Sequence, residues 1–456
     1  PINCKIVICF VFSNKKMSAP DIKGNFAWVI YHFAKDPIGF LDSQFEINGD
    51  VVKMKLLNRK FYATRNPKWM DHVFVKNQKN YEKDYSMEQI EVALGKGLLT
   101  NKGESWFKQR RLAQPAFYKK RLEGLVDTME NLTDEYISKV QKFRSGHKFY
   151  IDEEMMTLTA SIVLETLLGE KMNQDLQKVQ KTIAVVQTYI IKRVRIPFYI
   201  NYAELFGEHK KFMDLIHQMD QTIYDIIKRR KNNPTEDSNL ISMLIEAEDA
   251  DTGEKMSEKQ LRDELVTIYV AGHETSAYAL SWTFYELMQH PEIVQKMKEE
   301  VASVIQENGK IGSDGLRKLT YTAAVLNESM RLHPPAYFVS RECLSDDTIE
   351  GTPVEKGAGV LISIIAMHKH PDLWENAEDF IPERFLAPNE AIRKYYHPFG
   401  TGPRMCIGNH FALMEITLIL AKMVHNFDFK LVPNQKIEAQ PMITLKPKYG
   451  IQLMKL

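Results

Sequence analysis

Apolar residues recur three and four positions apart over 121–143, 152–169, 174–193 and 208–232. That spacing lines one face of a helix, and an amphipathic helix is predicted at each place. The stretch 257–290, "SEKQLRDELVTIYVAGHETSAYALSWTFYELMQH", differs. It holds roughly nine helical turns, and its middle is apolar nearly all round, so it is predicted to cross the interior. Glu274 and Thr275 lie in that apolar middle, where a carboxyl and a hydroxyl need a reason. "GESWFKQRRLAQPAF" starts a helix that Pro115 ends or kinks. Further helices follow over 291–333, and one more after Cys406 in "CIGNHFALMEITLIL".

Strand patterns are shorter. "GDVVKMKLLNRKFYATRN" (49–66) alternates with period two and reads as a small hairpin region. From 334 the chain becomes rich in proline, glycine and β-formers, which predicts a second small sheet, and "IQLMKL" reads as a closing strand. "KNNPTEDSN" (231–239) reads as an exposed connection. No repeat, low-complexity tract or linker divides the chain. The fold class expected is mainly α: a single large α-rich domain over 17–456, with small β-sheets and a long central helix. Residues 1–16 contain an apolar run, Ile6 to Phe12, far short of the roughly 20 residues a membrane span needs. They read as an N-terminal extension or short apolar segment, with no stable membrane span.

The 456 residues, 44% hydrophobic and 26% charged, suffice for a deep core and a buried cofactor. A formal net charge of +1 gives no bulk field for nucleic acid. Cys4, Cys9, Cys343 and Cys406 are few and irregularly spaced, so no disulfide framework is implied, and a reducing, cytoplasmic setting is expected.

Cys406 stands in "FGTGPRMCIG" (399–408). The surrounding glycines let the backbone turn sharply and approach something closely. The helical spacing that follows puts the thiol at a helix start, where free N–H groups favour a thiolate. Such a thiolate could be a nucleophile with His397 or His410 as base, a zinc ligand, a haem ligand, or a structural cysteine. Zinc lacks Cys or His at ligand spacing beside it.

Four stretches in order narrow this. "WFKQR" supplies Trp106 and Arg110. "AGHETS" supplies Ala271, Gly272, Glu274, Thr275 and Ser276. "ESMR" supplies Glu328 and Arg331, with Arg384 downstream in "FIPERF". "FGTGPRMCIG" supplies Phe399, Gly400, Gly402, Arg404, Cys406 and Gly408. In these motifs the chain resembles the cytochrome P450 family over nearly its whole length.

The resemblance implies haem b (iron protoporphyrin IX), with Cys406 as the axial thiolate on its iron and the long central helix over the haem. Gly400 and Gly408 would let the loop lie under the porphyrin, with Phe399 packed on that face. Trp106, Arg110, Arg341, Arg404 and His397 would reach the propionates, the alternative for the arginines being surface salt bridges. Ala271 and Gly272 would open the central helix for dioxygen. Glu274 and Thr275 would be the catalytic acid–alcohol pair, although a buried threonine also bonds back to the carbonyl four residues earlier. His273, at 100° per residue, would face away from the haem. Glu328, Arg331 and Arg384 would form a buried structural triad.

The activity implied is a monooxygenase that inserts one oxygen atom of O2 into a C–H bond of a fatty-acid-like or other apolar small molecule. The alternative is oxidative O-demethylation of a methoxylated compound such as a methylated sugar, releasing formaldehyde; the tyrosine-rich "TYIIKRVRIPFYINYAELF" would suit that more polar ligand. A haem-binding sensor is the reading from another class. Pocket-lining stretches are expected at Tyr85–Leu99, Val186–Phe206, Thr267–Thr275 and Ala336–Val339. With no dinucleotide- or flavin-binding motif in the chain, electrons from NAD(P)H are expected through a separate ferredoxin or flavodoxin with its reductase. Lys108, Arg111, Arg393 and Lys394 would suit an acidic partner.

Overall fold

A computed structural model describes residues 19–24, 26–56, 59–196, 198–233, 239–248, 253–387 and 389–456. The N-terminal apolar run, with Cys4 and Cys9, and most of the 231–239 connection lie outside the described residues. Eight helices position the site: α1 (Tyr85–Leu94), α2 (Gly103–Ala113), α3 (Ile151–Val163), α4 (Gln174–Arg195), α5 (Glu208–Asn232), α6 (Glu258–Leu287), α7 (Thr320–Leu332) and α8 (Asn409–Asn426).

The longest is α6. Ser257 caps it by accepting from the Gln260 N–H, which satisfies a donor that the helix leaves free. Side chains are buried from Leu261 to Tyr269 and again from Ser276 to Phe284. Helices α3, α5, α7 and α8 pack around it, and all contribute to one continuous apolar core. A break in the burial falls at Val270, Ala271, Gly272 and Thr275, and of these Val270, Ala271 and Thr275 have accessible side chains.

Helix ends follow local chemistry. Pro115 closes α2 in a 3-10 turn, Gln114–Phe117. The predicted 121–143 helix divides at Gly124 into Lys119–Glu123 and Val126–Gln141. Helix α3 runs into a π-turn, Leu164–Leu168, that Gly169 ends at φ 64°.

The two predicted β regions share a five-stranded sheet, and Asp347–Ile349 pairs separately with Thr352–Val354. Strands β1 (Val51–Leu56), β2 (Arg59–Thr64), β3 (Tyr81–Glu82), β4 (Phe338–Cys343) and β5 (Gly359–Ser363) lie in the order β1-β2-β5-β4-β3. Pairing is antiparallel except between β2 and β5, where Phe61 faces Gly359 in parallel register. The closing strand, Gln452–Lys455, pairs with Lys148–Tyr150 and Phe429–Leu431.

The tyrosine-rich connection between α4 and α5 does not line a cavity as a whole. Phe198, Leu205 and Phe206 are 71%, 80% and 61% exposed, facing outward. Tyr189 stacks on Phe212 at 4.2 Å, and its hydroxyl meets His209 Nδ1 at 2.9 Å. The Tyr199 hydroxyl donates to Glu208. These tyrosines serve packing between α4 and α5. No helix among the described residues is long and apolar enough to cross a membrane.

Candidate functional site

The cysteine loop is built by backbone turns. Cys406 N–H donates to Phe399 O at 3.0 Å, Met405 N–H to Gly402 O at 3.0 Å, and Gly400 N–H to His397 O at 3.0 Å. Gly402 sits at φ 73°, and a Cβ there would collide with the Phe74 carbonyl, so only glycine fits. A Cβ at Gly408 would stand 4.0 Å from Cys406 Sγ and 3.9 Å from the Phe117 ring, and one at Gly400 would meet open space. Phe399 packs against the main core. Arg110 Nη1 donates to Met405 O at 2.9 Å, tying α2 to the loop.

Gly408 is the N-cap of α8, so Cys406 precedes the cap by two residues. Burial pushes the Cys406 thiol up; the Gly408 N–H and Arg110 act in the opposite direction. Burial is the larger effect, while the N–H at the helix start acts in the direction expected of it. Cys406 is nevertheless an exposed residue, unlike the buried Cys343. Neither His397 nor His410 bonds the Cys406 sulfur among the described residues. No group of three or more His, Cys, Asp or Glu able to hold a bare metal ion occurs among them either.

On α6, Ala271 is exposed and Thr275 half-buried in a helix otherwise buried on both sides. The Thr275 hydroxyl bonds back to Ala271 O at 2.7 Å. Gly272 points elsewhere: a Cβ there would stand 3.2 Å from Val163 Cγ2, so it sets the close approach of α3 rather than opening the helix. His273 is buried, with Nδ1 against Tyr269 O at 2.5 Å, and burial lowers it to about 4, so the ring is neutral. Glu274 is also buried. Its carboxyl accepts from Thr444 Oγ1 at 3.0 Å and from Gln187 Nε2. Burial raises it, and these two bonds oppose the rise. The structure therefore places the acid and the alcohol on different faces.

Near the loop lies a cluster of cations, Lys83 buried and Arg341 and Arg404 half-buried. Arg341 sits 4.5 Å over the Phe74 ring and donates Nη1 to Ser340 O at 2.7 Å. Burial and then Arg404 lower it to about 10. Lys83 donates to Leu99 O, and burial followed by Arg341 and Arg404 pushes it well below the usual lysine range. Among the described residues neither has a carboxylate within salt-bridge distance. Arg404 stacks 4.1 Å over Trp106 and pairs with Glu82 at 2.6 Å. Buried cations short of anions are costly, and a dianionic ligand would remove that cost.

Two of the predicted propionate contacts are spent elsewhere. Trp106 Nε1 donates to Leu98 O at 2.9 Å. His397 turns Nε2 to Lys394 O at 3.0 Å, and burial lowers the affinity of the ring for a second proton. The segment that receives Trp106 is pinned to α6: Lys96 N–H donates to Asp263 at 2.8 Å and Leu98 N–H to Glu264 at 3.0 Å.

The Glu328 carboxyl takes Arg331 Nε and Nη2 at 2.8 Å each and Arg384 Nε at 3.2 Å. Arg331 also donates to the carbonyls of His368, Ala377 and Asp379. Both Glu328 and Arg331 are wholly buried. The three charges predicted to meet do meet, beneath the segment that leads to the cysteine loop.

The residues present fit a haem. An exposed cysteine, a glycine-cleared loop, surplus cations and an accessible turn of α6 are what a flat dianionic porphyrin would need. Lys83 and Thr444 were missed by sequence reasoning, because neither belongs to a motif and their significance comes only from burial; Gln187 falls in the expected pocket-lining stretch Val186–Phe206 but was not singled out.

Comparison with known proteins agrees. The sequence model of the family described as Cytochrome P450 matches residues 21–454. The chain is 32% identical over 374 residues to a cytokinin hydroxylase of Arabidopsis thaliana, covering 79% of the chain and 72% of that protein. It is 29% identical over 422 residues to a putative cytochrome P450 132 of Mycobacterium tuberculosis, covering 89% and 90%. It is 29% identical over 417 residues to a cyclooctatin synthase of Streptomyces melanosporofaciens, covering 90% of each.

Proposed function

The chain belongs to the cytochrome P450 family, a family of haem-thiolate monooxygenases that use haem b, and on that premise we propose that it hydroxylates an apolar small molecule. When bound, the haem supplies the oxygen chemistry: with two electrons and two protons, one atom of O2 enters a substrate C–H bond and the other leaves as water. Cys406 contributes the sulfur, and Lys83, Arg341 and Arg404 balance the two propionates. The Thr275 hydroxyl, released from Ala271 O, orients a water at the accessible turn of α6. Glu274 holds or releases a proton at its carboxyl, with Gln187 and Thr444 as its donors.

One observation carries the apolar substrate. The accessible side chains at this turn of α6 are Val270, Ala271 and Thr275, two of them apolar, while the Tyr189 and Tyr199 hydroxyls that would have suited a polar ligand are taken by His209 and Glu208. The hydroxylase name of the Arabidopsis relative supports hydroxylation as the outcome. Electrons reach the site from a separate ferredoxin or flavodoxin with its reductase. Of the basic residues expected to face it, Lys108 and Lys394 are paired with Glu254 and Glu390, so docking competes with those two pairs.

The test is a spin-state titration of the ferric protein with a medium-chain fatty acid beside a methylated monosaccharide, followed by turnover with surrogate ferredoxin partners. A saturating shift and a hydroxylated product with the fatty acid are expected. A shift with the methyl ether alone, and release of formaldehyde, would move the activity to O-demethylation. No reduced-partner turnover with any apolar ligand would sink the enzymatic reading in favour of a sensor.

A further inference from the structure

Glu415 lies in α8, nine residues past Cys406, and is wholly buried. Neither carboxyl oxygen has a hydrogen-bond partner among the described residues. The group that acts on it is the Ser276 hydroxyl of α6, itself buried and short of a partner. Ser276 directly follows Thr275. The other elements packed on α8 include α7 and the helices Val126–Gln141, Pro291–Asn308, Gly312–Leu316 and Lys119–Glu123; no charged side chain from any of them, Lys119, Lys120, Arg121 and Glu123 included, acts on Glu415. Lys422, farther along α8, is spent on Glu130 and Asp134. Burial without a counter-charge pushes Glu415 up to about 8, so at neutral pH it is a carboxylic acid with a proton to donate. A leucine would fill this place without any polar cost, so stability does not account for the carboxyl.

We propose that Glu415 is a positioning residue for monooxygenation: as the neutral acid it donates a hydrogen bond to the Ser276 hydroxyl and ties the turn of α6 that carries Thr275 to the helix that follows Cys406. Both groups are buried without another partner, on helices that pack together, so each is left for the other to satisfy. The tie fixes where Thr275 sits relative to the cysteine loop. Ionisation reverses the bond, so that the Ser276 hydroxyl would donate to the carboxylate, and leaves a charge without a counter-ion between the two helices, which loosens that register. The inference rests on the monooxygenase reading for its consequence but not for the bond itself.

The test uses the haem-loaded protein as wild type, Glu415→Gln, Glu415→Leu and Ser276→Ala. Infrared difference spectra of the wild type should show a protonated-carboxyl band at pH 7 that is absent in Glu415→Gln, shifted in Ser276→Ala, and lost as the pH passes about 8. Product formed per NAD(P)H should fall in the wild type over the same rise. Glu415→Gln, which keeps a donor and cannot ionise, should hold its pH 7 coupling throughout, and Glu415→Leu should be uncoupled at every pH. A band that Ser276→Ala does not move, or a glutamine variant that follows the wild-type pH profile, would overturn the proposal. The infrared arm needs no substrate, so it decides the bond even if turnover is never found. Unfolding gives a third readout. The folded value lies above the unfolded one, so from about pH 4.5 to about 8 the unfolded chain ionises and the folded one does not. Wild-type stability should therefore fall relative to Glu415→Gln as pH rises through that window and run parallel above it. A constant gap would contradict the buried, neutral acid.

Discussion

Lys83 and Arg341 are cations where a cation is expensive. Neither makes an ion pair among the described residues; Arg404 repels both, and the attraction of Glu82 and Asp84 does not offset burial. Their effect on the empty protein and on the haem-bound one should therefore have opposite signs. Lys83→Met or Arg341→Leu should raise the unfolding free energy of the apoprotein by about 1–3 kcal/mol. The same variants should lose haem to an acceptor protein about tenfold faster, since a propionate keeps one less partner. Denaturant unfolding of the apoprotein and haem-transfer rates check the two halves, and a variant that destabilises both states would contradict the assignment. Thr275 makes a separate case. Its hydroxyl rests on Ala271 O at 2.7 Å, so Thr275→Ala leaves the helix intact. It should still bind haem and substrate, but product per NAD(P)H should drop roughly tenfold or more, with the electrons recovered as peroxide. Unchanged coupling would remove Thr275 from the reaction. Motif residues such as Cys406 and Thr275 were legible because neighbouring sequence marks them. Lys83 and Glu415 were not, because only the folded surroundings make an ordinary lysine and an ordinary glutamate unusual.

At the scale of elements, the Glu328–Arg331–Arg384 cluster joins α7 to the segment before the cysteine loop. Glu328→Ala strands two guanidinium groups, one of them wholly buried, and should cost about 3–5 kcal/mol. Arg384→Ala, at the more exposed end, should cost clearly less. Chemical denaturation of both variants checks the order; equal losses would show that the cluster is not graded by burial. The long helices were readable because the 3.6-residue period is local: the 208–232 pattern matches Glu208–Asn232, and the apolar 257–290 stretch is Glu258–Leu287. The shared sheet was not readable. Its central contact pairs Phe61 with Gly359, and nothing in a local window encodes so distant a partner. The separation of Glu274 from Thr275 was hidden for a related reason. Their adjacency suggested one pair, but the helix turns 100° between them, and Gln187 and Thr444 reach Glu274 from α4 and from near the C-terminus.

For the whole molecule, helices pack tightly along α6 except at its accessible turn, and that turn, the cysteine loop and the cation cluster are the parts that a haem site needs. The central claim is that the interior holds haem b on the Cys406 thiolate. The most direct measurement is the optical spectrum of the dithionite-reduced, carbon-monoxide-bound protein, taken for the wild type and for Cys406→Ala. The wild type should give the strongly red-shifted Soret band of a thiolate-ligated haem, and the alanine variant should lose that band while keeping its helical circular dichroism. A wild-type band of the histidine-ligated kind, or a thiolate band that survives Cys406→Ala, would contradict the claim.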